Sequence, residues 1–389
     1  MHVGVAFSMS KHPRIAISPK SLNAYTYSVF LCGALLEWIS VVFLNSFNYF
    51  RAIAIIIIVA GHAFDVLDIS FDTPLERILY NLIKGGTVLF VFISGFLFHH
   101  IFYQRYQYRK FMFSKLKKVL LPYTLFAVVL IMPQVISQNA AFEFFEPVGA
   151  GFMNTYIVPA FKYYITGRFL GPFWYVPFVM LVFLMSPLHI AFINLRLKQQ
   201  LLVTFLLTVV SLFLHRPIHN ILILQAVVYF TPVYLVGILC SENRDLLYQR
   251  LKNKEIYLLL AAITLAAFES VLGERGIYFK EPFLYGGIDI MLLQKLVLCL
   301  FFMVWLHRFE QVNLKLLDVI AATSFAIYFI HMFPLLTMGK LQALLLQLSM
   351  GFPWILFLVS TIATVLFSVG LAITVRKLVP DKSRYIIGY

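Results

Sequence analysis

Histidines set deep in apolar sequence are the residues here best placed to do chemistry. His62 follows Arg51 by eleven residues, in RAIAIIIIVAGH (51–62). On a helix that is about 16 Å of rise, and eleven steps of about 100° return nearly to the starting face, so both side chains share one stripe. Asp65, three residues further on, falls on the same stripe, within reach of the imidazole as an orienting carboxylate. A second run, SFAIYFIH (324–331), places Ser324, Tyr328 and His331 at i, i+4 and i+7, again one face. His331 lies roughly 18 Å from the start of its run, close to the depth of His62. Two helices offering a histidine at one level suit a shared polar cavity. An unperturbed imidazole titrates near pH 6.5 and works as a general base at cellular pH. The plainer reading is a histidine that only bonds a neighbouring helix.

Other polar features surround these two runs. Ser94 and Gly95 sit within FVFISGFLF (90–98); the glycine lets another backbone approach closely, and packing alone accounts for the pair as well as substrate contact does. Arg105, Arg109, Lys110, Lys115, Lys117 and Lys118 form the densest basic cluster, with no acid among them. Such a cluster marks topology, contacts lipid headgroups, or holds a phosphorylated ligand. Trp174, at the start of another apolar run, reads on position as an interfacial anchor. Cys32, Cys240 and Cys299 stand singly in apolar runs without metal-ligand spacing, so they read as packing residues and no metal site is expected.

These residues must be carried by membrane helices. Of 389 residues, 61% are hydrophobic and only 12% charged, where a soluble domain has about 25% charge; mean hydropathy is +0.87. So much apolar surface excludes an aqueous enzyme, a nucleic-acid-binding module and a disordered chain. A crossing takes roughly 20 apolar residues. The expected architecture is an all-α polytopic bundle of about ten transmembrane helices, at 51–67, 84–103, 119–137, 172–195, 201–215, 221–240, 255–272, 287–306, 319–339 and 353–375. It becomes eleven if the apolar stretch 24–44, interrupted by Glu37, also crosses; an in-plane helix and a signal anchor are the alternatives. Residues 1–50 thus form a basic tail with that segment, 51–375 the transmembrane domain, and 376–389 a cytoplasmic tail. Lys and Arg accumulate on the cytoplasmic side of a membrane. The N-terminal tail with Arg51, the loops 104–118, 196–200, 241–255 and 307–318, and the C-terminal tail hold 22 of them, against eight at the opposite ends. Arg51 therefore marks the cytoplasmic mouth, the C-terminus lies inside, and 138–171 is the longest non-membrane loop, external and aromatic. The net charge of +14 follows from this asymmetry, with no nucleic-acid partner needed.

Taken in order, RAIAIIIIVAGH, FVFISGFLF, KLKKVLLPY (115–123), FWYV (173–176) and SFAIYFIH resemble the motif blocks of the acyltransferase-3 family of membrane-bound acyl-CoA-dependent O-acyltransferases. The resemblance implies a multi-pass enzyme of a bacterial inner membrane. It would move an acyl group, usually acetyl, from cytoplasmic acyl-CoA to a hydroxyl of a cell-surface polysaccharide or glycolipid precursor. His62 would be the base, with Asp65 fixing its tautomer. His331, Ser324 and Tyr328 would position the acceptor or stabilise the oxyanion, and Ser94 and Trp174 would contact substrate. Arg51, Arg109, Lys115 and Lys118 would hold the acyl-CoA, a co-substrate; no bound cofactor is implied. Membrane lipid and the glycan acceptor are the implied partners, within a polysaccharide-biosynthesis complex where one exists. The family usually has arginine where Lys115 and Lys118 stand; lysine keeps the charge and loses the bidentate fork. Some relatives carry a soluble hydrolase-like domain, which is not read here, so transfer is expected to finish within the membrane part. Two rival functions suit the same residues. One is an exporter of polysaccharide or lipid-linked sugar, with Glu269 and Asp289 as its membrane carboxylates; the other is a non-catalytic subunit of a polysaccharide synthase.

Overall fold

A chain segment in lipid must satisfy its own backbone N–H and C=O groups, and a helix does so within one segment. The computed structural model describes residues 44–69, 73–140, 142–273, 278–342, 344 and 353–389, and it is built of helices. In chain order these begin with α1 (Asn45–Val66), α2 (Pro74–Ile83), α3 (Thr87–Leu97), α4 (Tyr108–Lys115), α5 (Leu121–Ser137) and α6 (Val158–Thr166). Next come α7 (Tyr175–Leu184), α8 (Ser186–Ile193), α9 (Leu197–Leu214), α10 (Ile223–Glu242), α11 (Arg244–Leu251) and α12 (Glu255–Val271). The last five are α13 (Ile290–His307), α14 (Lys315–Ile330), α15 (Met332–Lys340), α16 (Pro353–Leu378) and α17 (Ser383–Ile386). Among the described residues the only sheet is a parallel pair of two-residue strands, β1 (Arg216–Pro217) and β2 (Phe279–Lys280).

Seven helical stretches are long and apolar enough to cross a membrane, and the number rises to nine if each of two bent pairs is one span. The protein is thus a multi-pass, helical membrane protein. Nine of the ten expected spans correspond to these stretches; the tenth, 255–272, is α12, which has 17 residues. The expected segment 24–44 lies, up to residue 43, outside the described residues, as does Cys32.

Three local expectations are corrected. The run 319–339 is not one helix: α14 and α15 are bent by 55° at His331. Pro334 supplies no N–H to the carbonyl four residues back, which weakens the helical ladder just there. The stretch 138–171 is not all loop. It carries α6, which ends at Gly167 in the left-handed conformation (φ 68°) and meets the next helix at 78°. The basic loop 104–118 is largely helical as well, since no Gly or Pro interrupts residues 108–120. Instead α4 passes through a wider π turn (Leu116–Leu120) directly into α5.

Two contacts fix the frame around the site. The start of α1 is held by the connection between α13 and α14 and by the first turn of α14: Glu310 accepts from the Asn45 and Ser46 amides (2.6 and 3.2 Å), Tyr49 donates to the Val312 carbonyl, and Asn48 donates to Asp318 of α14 (2.7 Å). This clamps α1 beside α14, and α16 packs against both. On the other side α3 crosses α10 at two glycines. A Cβ on Gly95 would collide with the Tyr234 carbonyl, and one on Gly237 with the Phe92 carbonyl. The expected close approach at Gly95 is thus present. Cys240 and Cys299 are buried and unpaired, in packing positions.

Candidate active site

Clamping α1 to α14 brings the two expected histidines together. The His62 and His331 rings lie 5.3 Å apart, centre to centre, tilted by 38°. One stripe of α1 points Arg51 and His62 to the same side, and Arg51 bridges to α14, donating to Ser324 Oγ (3.1 Å) and the Ala321 carbonyl (3.2 Å). Tyr328 donates to the Pro172 carbonyl at 2.7 Å. His331 occupies the α14–α15 break and is fully buried. Its Nδ1 is 2.9 Å from the Ile327 carbonyl, which only accepts, so Nδ1 carries the hydrogen. Nε2 is then an acceptor, buried and without a hydrogen-bond partner among the described residues.

Asp65 does not hydrogen-bond His62. Its Oδ2 lies 3.9 Å from His62 Nδ1, while Oδ1 takes Lys84 Nζ at 2.5 Å, and Lys84 also donates to the Gly61 carbonyl (3.0 Å). The carboxylate therefore stands on the Nδ1 side of the ring, within ion-pair reach, and shares itself with an ammonium that the sequence had placed only in a count of charges.

Two cavities meet at this point. The first, of about 660 Å³, is lined by Arg51, Ser94, Lys115, Lys118, Tyr175, Ser324 and Tyr328, among others. The second, of about 380 Å³, is lined by Asp65, Lys84, Arg168, Arg216, His219 and Asn220, among others. Ile58, His62, Thr87 and Trp174 belong to both walls. His62 is therefore reachable from either side, whereas His331 stands behind it and lines neither. Trp174 is not an interfacial anchor. It is buried at 5% exposure, because the Gly171–Trp174 turn folds it inward and Arg216 lies over its ring at 5.0 Å.

The first cavity is basic. Arg51, Lys115 and Lys118 are joined there by Arg376 and Arg384 from the C-terminal segment, and no Asp or Glu is among its described lining residues. Lys115 sits over the rings of Phe102, Phe111 and Phe183 at 4.4–5.0 Å, an arrangement that holds a cation in apolar surroundings. Ser94 and Tyr175 both line the cavity wall. Arg109 is exposed on α4 and lines neither cavity. Sequence reasoning missed Arg376 and Arg384, which it assigned to a tail, and Thr87, which carries no motif.

The second cavity has a different origin. Arg216 on β1 is buried beneath Trp174, Phe230 and Phe279 and donates to Asn220 Oδ1 (3.0 Å). Burial lowers its guanidinium to about 10, so it remains a cation at neutral pH. Among the described residues no three His, Cys, Asp or Glu gather as a metal site would require.

A family model described as an acyltransferase domain matches residues 44–373. The chain belongs to the acyltransferase-3 family. Compared with curated proteins and with solved structures, it finds no match. Membership makes the protein a membrane acyltransferase in general terms, and the blocks that carry the resemblance coincide with the two cavities. Arg51 to His62 runs along one wall, Ser324 and Tyr328 line the facing helix, and Trp174 stands between the two spaces.

Proposed function

We propose that the protein is an O-acyltransferase that takes an acyl group, acetyl in the simplest case, from acyl-CoA in the first cavity. It passes that group to a hydroxyl of a cell-surface polysaccharide or glycolipid precursor in the second. The observation that carries this reading is His62 in the wall shared by both cavities. A base reachable from two sides lets donor and acceptor meet without either having to vacate the site.

The donor's phosphates would lie among Lys115, Lys118, Arg376 and Arg384, with the acyl arm running inward past Arg51. The acceptor hydroxyl gives its proton to His62 Nε2 as its oxygen attacks the thioester carbonyl carbon. Collapse of the tetrahedral species breaks the carbon–sulfur bond, and the imidazolium returns the proton to the departing thiolate. The products are an ester and CoA–SH. Asp65, on the Nδ1 side, favours the tautomer with Nε2 free and steadies the imidazolium. Ser324 accepts from Arg51, so its own hydrogen remains free for the developing oxyanion. The amphipathic first cavity opens among the basic ends that, by the charge asymmetry of the chain, belong to the cytoplasm of a bacterial inner membrane.

The test uses the full chain in nanodiscs with radiolabelled acetyl-CoA and a glycolipid extract from the producing cells. Label is expected to pass from CoA to the extract, and His62→Ala should slow it by about 10²–10⁴, the range that general-base catalysis supplies. Undiminished transfer by a folded His62→Ala protein overturns the assignment. An exporter or a non-catalytic subunit would leave the label on CoA altogether.

A further inference from the structure

The second cavity holds more positive charge than its own residues neutralise. Lys84 is paired with Asp65. Arg168 and Arg216 form no ion pair among the described residues, and the Nε of each is buried without a hydrogen-bond partner. Arg216 is 4% exposed. Asp289 acts on Arg216 through its charge but forms no ion pair with it, and its two oxygens accept from Tyr229 (2.7 Å) and the Leu292 amide (2.9 Å). Among the described residues Arg168 donates to the Gly171 carbonyl at 3.3 Å and lies over the Phe142 ring. Burying a guanidinium without a directly paired carboxylate is costly, and three aromatic rings around Arg216 recover part of that cost. Two guanidinium groups lining one cavity, neither in an ion pair among the described residues, match a planar or tetrahedral anion. Trp174 and Phe279 add aromatic surface to the same lining.

We infer that the second cavity selects an anionic acceptor, a sugar bearing a carboxylate or phosphate, whose charged group is held by Arg168 and Arg216 while a hydroxyl is presented to His62. This rests on reading that cavity as the acceptor's, and it adds the class of acceptor. It also assigns Arg216 as the specificity-determining residue, since it is the better buried of the two and its strand partner Phe279 lines the same cavity.

The test is a binding measurement on the full chain in phosphatidylcholine nanodiscs, so it does not depend on acyl transfer. Titration calorimetry with glucose, glucuronate and glucose 6-phosphate compares one ring with three substituents at C6. The expected result is at least tenfold tighter binding of the two anionic sugars than of glucose. Arg216→Gln should abolish that preference and Arg216→Lys retain part of it, with CoA binding unchanged in both as proof of folding. Equal or absent binding of the three sugars, or a preference that survives Arg216→Gln, overturns the inference. A preference that disappears when phosphatidylglycerol replaces part of the phosphatidylcholine assigns the cavity to a lipid headgroup and overturns it too. If the preference holds but labelled acetyl never leaves CoA, the acyl-transfer reading fails while the anion site stands.

Discussion

His331 carries a hydrogen-bonding capacity that the described residues leave unmet. Its Nδ1 is committed to the Ile327 carbonyl, and that carbonyl is already served by the His331 backbone amide at 2.9 Å. What remains is Nε2, an orphaned acceptor next to the proposed base. A buried group left unsatisfied costs about 1–3 kcal/mol, whereas an apolar replacement of similar shape removes that cost. His331→Phe should therefore raise the thermal midpoint of the purified protein. It should also lower kcat by roughly tenfold to a hundredfold, the value of a hydrogen bond to a charged partner, with little change in the donor KM. A variant that loses neither rate nor gains stability would show that the ring only fills space. The sequence placed His331 at the level of His62, and the two rings lie 5.3 Å apart, but Ser324 and Tyr328 line the first cavity while His331 lines neither. Its unpaired nitrogen was beyond sequence reading, since that depends on what other segments fail to bring.

Among the elements, the crossing of α3 and α10 carries the most exacting packing. Gly95 and Gly237 each face the other helix's backbone, so neither neighbour can swing aside as a side-chain tip would. Gly95→Ala should destabilise the protein by about 1–3 kcal/mol, as overpacking of a tight core does, despite the better helix propensity of alanine. It should reduce transfer as well, because α3 carries Ser94 and Thr87 in the cavity walls. Gly370 on α16 is the control, with open space where its Cβ would stand. Gly370→Ala is expected to be neutral or stabilising by up to about 1 kcal/mol, and equal thermal shifts for both variants would contradict this account of the crossing. The element level was also where the sequence misled. Apolar periodicity runs unbroken from residue 319 to 339, so the bend at His331 was signalled by Pro334 alone. In 104–118 a dense run of charge resembled a loop, although arginine and lysine are good helix formers and no breaker stands among residues 108–120.

At the scale of the whole molecule, the two cavities draw on distant parts of the chain. The first joins Arg51 to Lys118 and Arg384, and the second joins Lys84, Arg168 and Arg216. Motif spacing conveyed the first in part, because Arg51, Ser94, Lys115 and Ser324 lie within recognisable blocks. Of the second it conveyed His62, Asp65 and Trp174 but none of the cations, which come from three separate connections and entered the sequence reading only as charges on the less basic side. That same charge count now constrains how the cavities must be oriented. With 22 Lys and Arg on one side and eight on the other, the rim containing Lys118 should face the cytoplasm, where acyl-CoA is made, and exposed His219 of the second cavity the opposite side. Single cysteines at these two positions, Lys118→Cys and His219→Cys, test this in a chain whose Cys32, Cys240 and Cys299 are replaced by alanine. A membrane-impermeant maleimide should label His219→Cys in intact cells and Lys118→Cys only after permeabilisation. The reverse pattern would put the basic cavity beyond the reach of cytoplasmic CoA and require a different donor. Labelling of both in intact cells would mean that the space around His62 is one continuous passage, as an exporter needs and an acyltransferase does not.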